Sequence, residues 1–102
     1  MMFGSGGVEV EGLKDVAFAL APLSSEEAEQ MLESTWAGRK LKGYRNIPAA
    51  DRRCVIAALI RLSRLAVDLP ELKEIEINPL RALPMGQGVV GIDARIRLER
   101  SL

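Results

Sequence analysis

Two runs near the C-terminal end of the chain alternate strictly between apolar and polar residues, and a short turn separates them. In the first, Ile75 and Ile77 alternate with Glu74, Glu76 and Asn78. In the second, Val90, Ile92, Ala94, Ile96 and Leu98 alternate with Asp93, Arg95 and Arg97. A period of two belongs to a strand with one apolar face, and the run "PMGQG" between them has the composition of a turn. The pattern predicts an antiparallel hairpin. A slip of one residue would turn every side chain to the wrong face, so the register is restricted too. It places Asn78 opposite Asp93, Glu76 opposite Arg95 and Glu74 opposite Arg97, with Ile77 on Ala94 and Ile75 on Ile96. Both charged pairs are of opposite sign, as cross-strand neighbours prefer. Pro79 lacks the backbone donor that a continuing strand would need, so the ladder is expected to release the chain directly after Asn78. An amide oxygen and a carboxylate therefore stand together at one end of a ribbon. Two uses remain open for them. One is an ordinary exposed hairpin with a turn-forming Asn-Pro; the other is a pair of oxygen ligands of low total charge, such as magnesium takes when it shares its shell with water and phosphate.

The rest of the chain reads as helices with one further strand pair. "GGVEVEGL" alternates Val8 and Val10 with Glu9 and Glu11, and "KDVAFALAPL" sets Val16, Phe18 and Leu20 against Ala17, Ala19 and Ala21; the two are expected to pair antiparallel and to end at Pro22. Ser24 and Glu27 form an S-x-x-E capping box at the start of a helix. Ala28, Met31 and Leu32 recur at helical spacing within it, and Gly38 is its expected stop. Arg39, Lys40, Lys42 and Arg45 around Gly43 read as a solvated basic loop. A longer helix is expected from about Ala49 to Leu69. Its stripe is Val55, Leu59, Leu62, Ala66 and Leu69, with Arg52, Arg53, Arg61 and Arg64 mostly on its solvated side, and Pro70 ends it. The expected fold class is α+β: an antiparallel β-sheet with two helices packed on one face, in a single domain over residues 1–102 that is complete in itself or part of something larger.

Composition narrows the chemistry. Formal net charge is zero, so neither the basic footprint of a nucleic-acid binder nor a polybasic membrane patch is expected. The sequence has no histidine, which removes imidazole bases, Ser-His triads, phosphohistidine and most zinc sites together. One cysteine, Cys54, cannot form an internal disulfide and suits a reducing compartment. No apolar run approaches the roughly 20 residues of a membrane span, and "MMFGSGG" has neither a charged n-region nor an apolar h-region. A cytoplasmic location with no membrane partner is the expectation.

Four stretches taken in order carry a resemblance: "MFGSGGVEVEGLKDVAFALAPLS", "LKGYRNIPAAD", "LIRLSRLAVDLPELKEIEINPL" and "GIDARI". They resemble the C-terminal lobe of the ATP-grasp domain in NDP-forming (ADP-forming) acyl-CoA synthetases, chiefly the ADP-forming acetyl-CoA synthetases, relatives of the succinyl-CoA synthetase β subunit. The resemblance covers nearly the whole chain. It implies that Asn78 and Asp93 hold the Mg2+ that bridges the phosphates of ATP, with Glu76, the acid of a Glu-x-Asn signature, as a third ligand. It implies that Gly4, Gly6 and Gly7 form a glycine loop near the phosphates and that Glu11 is the acid of the first strand. The family reaction is acid plus CoA plus ATP giving acyl-CoA, ADP and phosphate, by way of an acyl phosphate and a phosphohistidine. The implied partners are the N-terminal nucleotide-binding lobe and a CoA-binding domain or subunit, neither of which this sequence resembles. One departure stands out: Ala19 occupies a position where the family usually carries arginine. Two other uses of such a lobe are a regulatory module of a protein acetyltransferase and a non-catalytic piece that associates with itself. A homo-oligomer is expected of the isolated chain, because a lobe made to be covered leaves apolar surface exposed.

Overall fold

The computed structural model describes residues 1–5 and 15–99. The expected strand over Val8 and Val10, and with it Gly6, Gly7 and Glu11, lies outside the described residues. Helix α1 (Ser25–Glu33) begins as its capping box requires: Ser24 Oγ accepts from the Glu27 amide at 3.1 Å and Glu27 Oε1 accepts from the Ser24 amide at 3.0 Å. Ala28, Met31 and Leu32 are its buried residues. The helix does not run on to Gly38. It ends at Ser34, and Thr35 takes up an extended backbone and caps a second short helix, α2 (Trp36–Arg39). The Thr35 hydroxyl explains the break. It accepts from the Gly38 amide at 3.0 Å and donates back to the Met31 carbonyl at 3.1 Å, offering the backbone an alternative to continued helix. Gly38 sits inside α2 because a Cβ there would lie 2.1 Å from the Leu32 carbonyl oxygen. The stop falls instead at Gly43, with φ +99°, after one turn of 3-10 helix (Lys40–Lys42). The basic run is thus largely helical rather than a loop, and Lys42 pairs with Glu33.

Helix α3 (Arg52–Asp68) is capped by Asp51, whose Oδ1 accepts from the Cys54 amide at 3.2 Å. Its buried line follows the expected stripe through Val55 and Leu59 and then passes to Ser63, leaving Leu69 exposed. Ser63 is buried because it is satisfied: its Oγ accepts from the Leu23 amide at 3.0 Å and donates to the Ile60 carbonyl at 2.7 Å. Of the four arginines read as solvated, Arg53, Arg61 and Arg64 are exposed. Arg52 is not; it bridges α3 to α1 through Glu29 and Glu33, each at 3.0 Å.

Strand β1 (Met2–Gly4) pairs antiparallel with β2 (Val16–Phe18). The described partner of β2 is therefore Met2–Gly4, not the expected run that follows the glycines. In β2 and just beyond it, the small residues face inward: Ala17 and Ala19 pack against the core, while Phe18 and Leu20 are exposed. Phe3, the partner of Ala17 across the ribbon, packs against the core beside these alanines. Asp15 ties the same region to α2, accepting from the Trp36 amide at 2.7 Å and the Ala37 amide at 2.8 Å.

The predicted hairpin is present and longer than expected. Strand β3 (Leu72–Ile77) pairs with the last strand, β6 (Ala94–Leu98), in the register read from the sequence: Glu74 opposite Arg97, Ile75 opposite Ile96, Glu76 opposite Arg95 and Ile77 opposite Ala94. The chain bends at Asn78 and Pro79 and resumes pairing as β4 (Leu80–Ala82) and β5 (Val89–Gly91). No residue is skipped across the bend: the Asn78 amide donates to the Asp93 carbonyl at 3.0 Å and the Ile92 amide to the Pro79 carbonyl at 3.0 Å. The turn closes when the Gln87 amide bonds the Pro84 carbonyl at 2.9 Å, with Gly86 at φ +84° supplying the left-handed conformation its third position needs.

The fold is α+β with antiparallel pairing, as expected; among the described residues there is a further short helix, and the strands form three two-stranded ribbons. Its core is Leu23, Ala28, Met31, Leu32, Val55 and Leu59, with Leu80, Ala82 and Val89 of the inner hairpin packed against it. Full burial of a leucine such as Leu32 contributes about 2 kcal/mol. No residue of β3 or β6 joins this core among the described residues, and every residue of β6 is exposed. Among the described residues no helix is long and apolar enough to cross a membrane.

Candidate functional site

The bend in the hairpin builds a cleft. Residues directly opposite one another on an antiparallel pair present their side chains to the same face. Glu76 and Arg95, and Asn78 and Asp93 two steps further along the ribbon, therefore share one side and line a cleft of about 180 Å3. The sequence-derived ligands Asn78, Asp93 and Glu76 are brought together, and Arg95 joins them. Gly91 assists from the inner hairpin: a Cβ there would sit 3.3 Å from Ile77 Cγ2, so the apolar face packs tightly behind the bend.

The four side chains are exposed, and among the described residues none of them is engaged in a hydrogen bond or ion pair. The neighbouring pair behaves differently: Arg97 holds Glu74 at 3.1 Å. The cleft thus offers one amide oxygen, two carboxylates and one guanidinium to a guest. No three Asp, Glu or Cys side chains among the described residues form an all-protein metal cage. The donor set suits a metal whose remaining ligands arrive with a substrate, the habit of magnesium with phosphates. A larger groove of about 320 Å3 lies beside α1 and includes Ser24, Glu27 and Ser63. Three of its polar side chains are already used, since Ser24 and Glu27 cap one another and Ser63 holds Leu23.

Gly4 does not reach the cleft. It lies in β1, where a Cβ would fall 2.1 Å from the Asp15 carbonyl oxygen, so it serves the close approach of β1 to β2. Gly6, Gly7 and Glu11 lie outside the described residues. Ala19 is packed against the core.

Two acids that the sequence reading gave no role anchor the scaffold. Asp51 accepts from the Gly88 amide at 2.7 Å while capping α3, and its own amide donates to the Leu83 carbonyl at 2.7 Å; the inner hairpin is thereby fixed to the helix. The bond from Gly88 is the main cause that holds the Asp51 carboxyl below its ordinary value. For Asp15, burial pushes the carboxyl up, but bonds from Ser5, Ala37 and Trp36 and the charge of Arg39 together bring it below its ordinary value. The signal for Asp51 was local, an aspartate directly before a helical run. Nothing local marks Asp15.

With this geometry in view, comparison with known proteins is direct. A sequence profile of the ATP-grasp domain matches residues 1–98. The chain is 42% identical over 90 residues to acetate–CoA ligase (ADP-forming) I of Archaeoglobus fulgidus, covering 88% of this chain and 13% of the relative. It is 38% identical over 100 residues to the β subunit of acetate–CoA ligase (ADP-forming) II of Pyrococcus furiosus, covering 97% of this chain and 42% of that subunit. Among solved structures, a Ca. Korarchaeum cryptofilum dinucleotide-forming acetyl-coenzyme A synthetase 1, in complex with coenzyme A and Mg-AMPPCP, superposes with a TM-score of 0.86 at 42% identity. That match covers 96% of this chain and 45% of the solved one, so the chain spans less than half the length of each of these three relatives.

Proposed function

Because the chain belongs to the ATP-grasp domain family, we propose that it is the C-terminal lobe of such a domain and supplies the metal and nucleotide-phosphate ligands of an ADP-forming acyl-CoA synthetase. The reaction is acid plus CoA plus ATP giving acyl-CoA, ADP and phosphate. The observation that carries this reading is the cleft at the bend, where Asn78 and Asp93 stand opposite one another beside Glu76. Asn78 and Asp93 would hold Mg2+, with Glu76 as the third protein oxygen. When bound there, the metal neutralises phosphate charge. The chain's own contribution is to fix these oxygens on a paired ribbon, so that they need little rearrangement to receive the phosphates.

The partners in this reading are an N-terminal nucleotide-binding lobe and a CoA-binding domain or subunit. The short coverage of the relatives supports it, as does the β-subunit name of one of them. Alone, the chain has half a nucleotide cleft, binds ATP weakly and does not turn over. Its bare ribbon also supports self-association, since Ile96 and Leu98 are 59% and 66% exposed. The test is co-expression with the N-terminal lobe and CoA-binding subunit of a relative, followed by an assay of acyl-CoA formation. Asn78→Ala and Asp93→Asn should each reduce the rate by about a hundredfold or more. Full activity in both variants would remove the cleft from the reaction.

A further inference from the structure

Arg95 is the unexpected member of the cleft. The register places it opposite Glu76, and a cross-strand salt bridge is the simplest expectation for such a pair. The next pair on the same face, Glu74 with Arg97, forms that bridge at 3.1 Å. Arg95 forms none among the described residues and lines the cleft with Glu76, Asn78 and Asp93. Its presence is at odds with a site for a bare cation. A guanidinium is permanently charged and repels a divalent ion held within a few ångströms. A site that had only to capture free metal would gain by losing it. The same group is well suited to phosphate, whose oxygens match its planar fork of donors.

We propose that Arg95 makes the cleft selective for a metal–polyphosphate complex over the free metal, by binding a phosphate oxygen of the incoming chelate. The inference rests on the reading of Asn78 and Asp93 as metal ligands and adds to it the order of loading. The protein oxygens and the bound metal together leave phosphate charge to be met, and Arg95 meets it. Without phosphate, Arg95 opposes the ion. The metal therefore enters with the polyphosphate rather than ahead of it.

Opposite signs make the proposal testable on the 102-residue chain itself. Binding of MnCl2 alone and of preformed Mn2+–tripolyphosphate is followed by Mn2+ electron spin resonance and by line broadening at Asn78 and Asp93. Arg95→Gln should tighten free Mn2+ by about threefold and weaken the tripolyphosphate complex by about tenfold. Arg95→Lys keeps the charge but not the fork, so it should bind free Mn2+ as the parent chain does and the complex with intermediate affinity. If Arg95→Gln moves both affinities in the same direction, or moves neither, the proposed selectivity is wrong while the metal site stands. If Asn78→Ala and Asp93→Asn leave binding of both probes unchanged, the metal site itself is wrong, and the inference falls with it.

Discussion

The two ends of this molecule satisfy their apolar residues in opposite ways. At one end, α1, α2, α3, the first ribbon and the inner hairpin enclose Leu32, Met31 and Val55 almost completely. At the other, β3 and β6 pair correctly but carry Ile96 and Leu98 in the open, and the C-terminal half of α3 leaves Leu65 and Val67 exposed, with Leu69 directly after it. Both ends follow the same rules of pattern and register. Only the first supplies its own cover. Backbone pairing and side-chain burial are thus separable: a ribbon can have its register fully specified while the layer that would bury it lies elsewhere.

The contrast should appear most strongly at Gly38. A methyl group there meets Leu32 backbone at 2.1 Å, and backbone cannot rotate away. Gly38→Ala is expected to cost about 4 kcal/mol or more, most of the stability of a domain at the low end of the usual range. Loss of far-ultraviolet helicity would register it; a variant as stable as the parent would mean that α1 and α2 are not held as described. Leu32→Ala comes next, at about 3 kcal/mol by urea denaturation, and a value below 1 kcal/mol would contradict its place in the core.

Asp15→Ala should cost about 2 kcal/mol, because two amides of α2 lose a charged acceptor. Its pH dependence has a definite sign. The folded carboxyl lies below its ordinary value of 3.8, so its stabilisation is complete above that value and is lost as pH falls through the lowered one. Urea midpoints of the parent and Asp15→Ala should therefore differ at pH 7 and converge as pH falls through the lowered value. A gap that persists unchanged in acid would show that the carboxylate is not the stabilising group. The smallest effect belongs to the uncovered end. Ile96→Ala, the same kind of truncation as Leu32→Ala, should alter monomer stability by less than about 0.5 kcal/mol while weakening self-association in sedimentation. A large loss of monomer stability would mean that the ribbon has a cover of its own.

What the sequence made legible divides along the same lines. The hairpin register could be read to the residue, because period two on both strands and two opposite-charge pairs admit one alignment near the turn. The start of α1 was equally plain, since Ser24 and Glu27 lie within one turn of each other. The end of α1 was not. It depends on Thr35 bonding back to Met31 and on Asp15, which lies 21 residues before Trp36 and takes its amide. The inward face of β2 was hidden because alternation pointed to the larger residues, yet Ala17 and Ala19 pack against the core while Phe18 and Leu20 are exposed. At the cleft, alternation brought Glu76, Asn78 and Asp93 together in advance. It also assigned Arg95 to Glu76, and nothing in a pattern of residue types could show that the second arginine would close on its partner while the first would not.

The unbroken pairing across the bend limits how such a chain can change length. From Glu74 opposite Arg97 to the turn at Pro84, each strand advances in step with the other. A residue inserted into either strand between the turn and the bend shifts Asn78 relative to Asp93 by one position and turns one of them to the far side of the ribbon, unless a bulge absorbs it. The turn itself faces no such limit. Between Asn78 and Asp93, a change of length without a bulge is thus expected only in residues 84–87, where the sequence distance between the two oxygen ligands is free to vary while their spatial partnership is not.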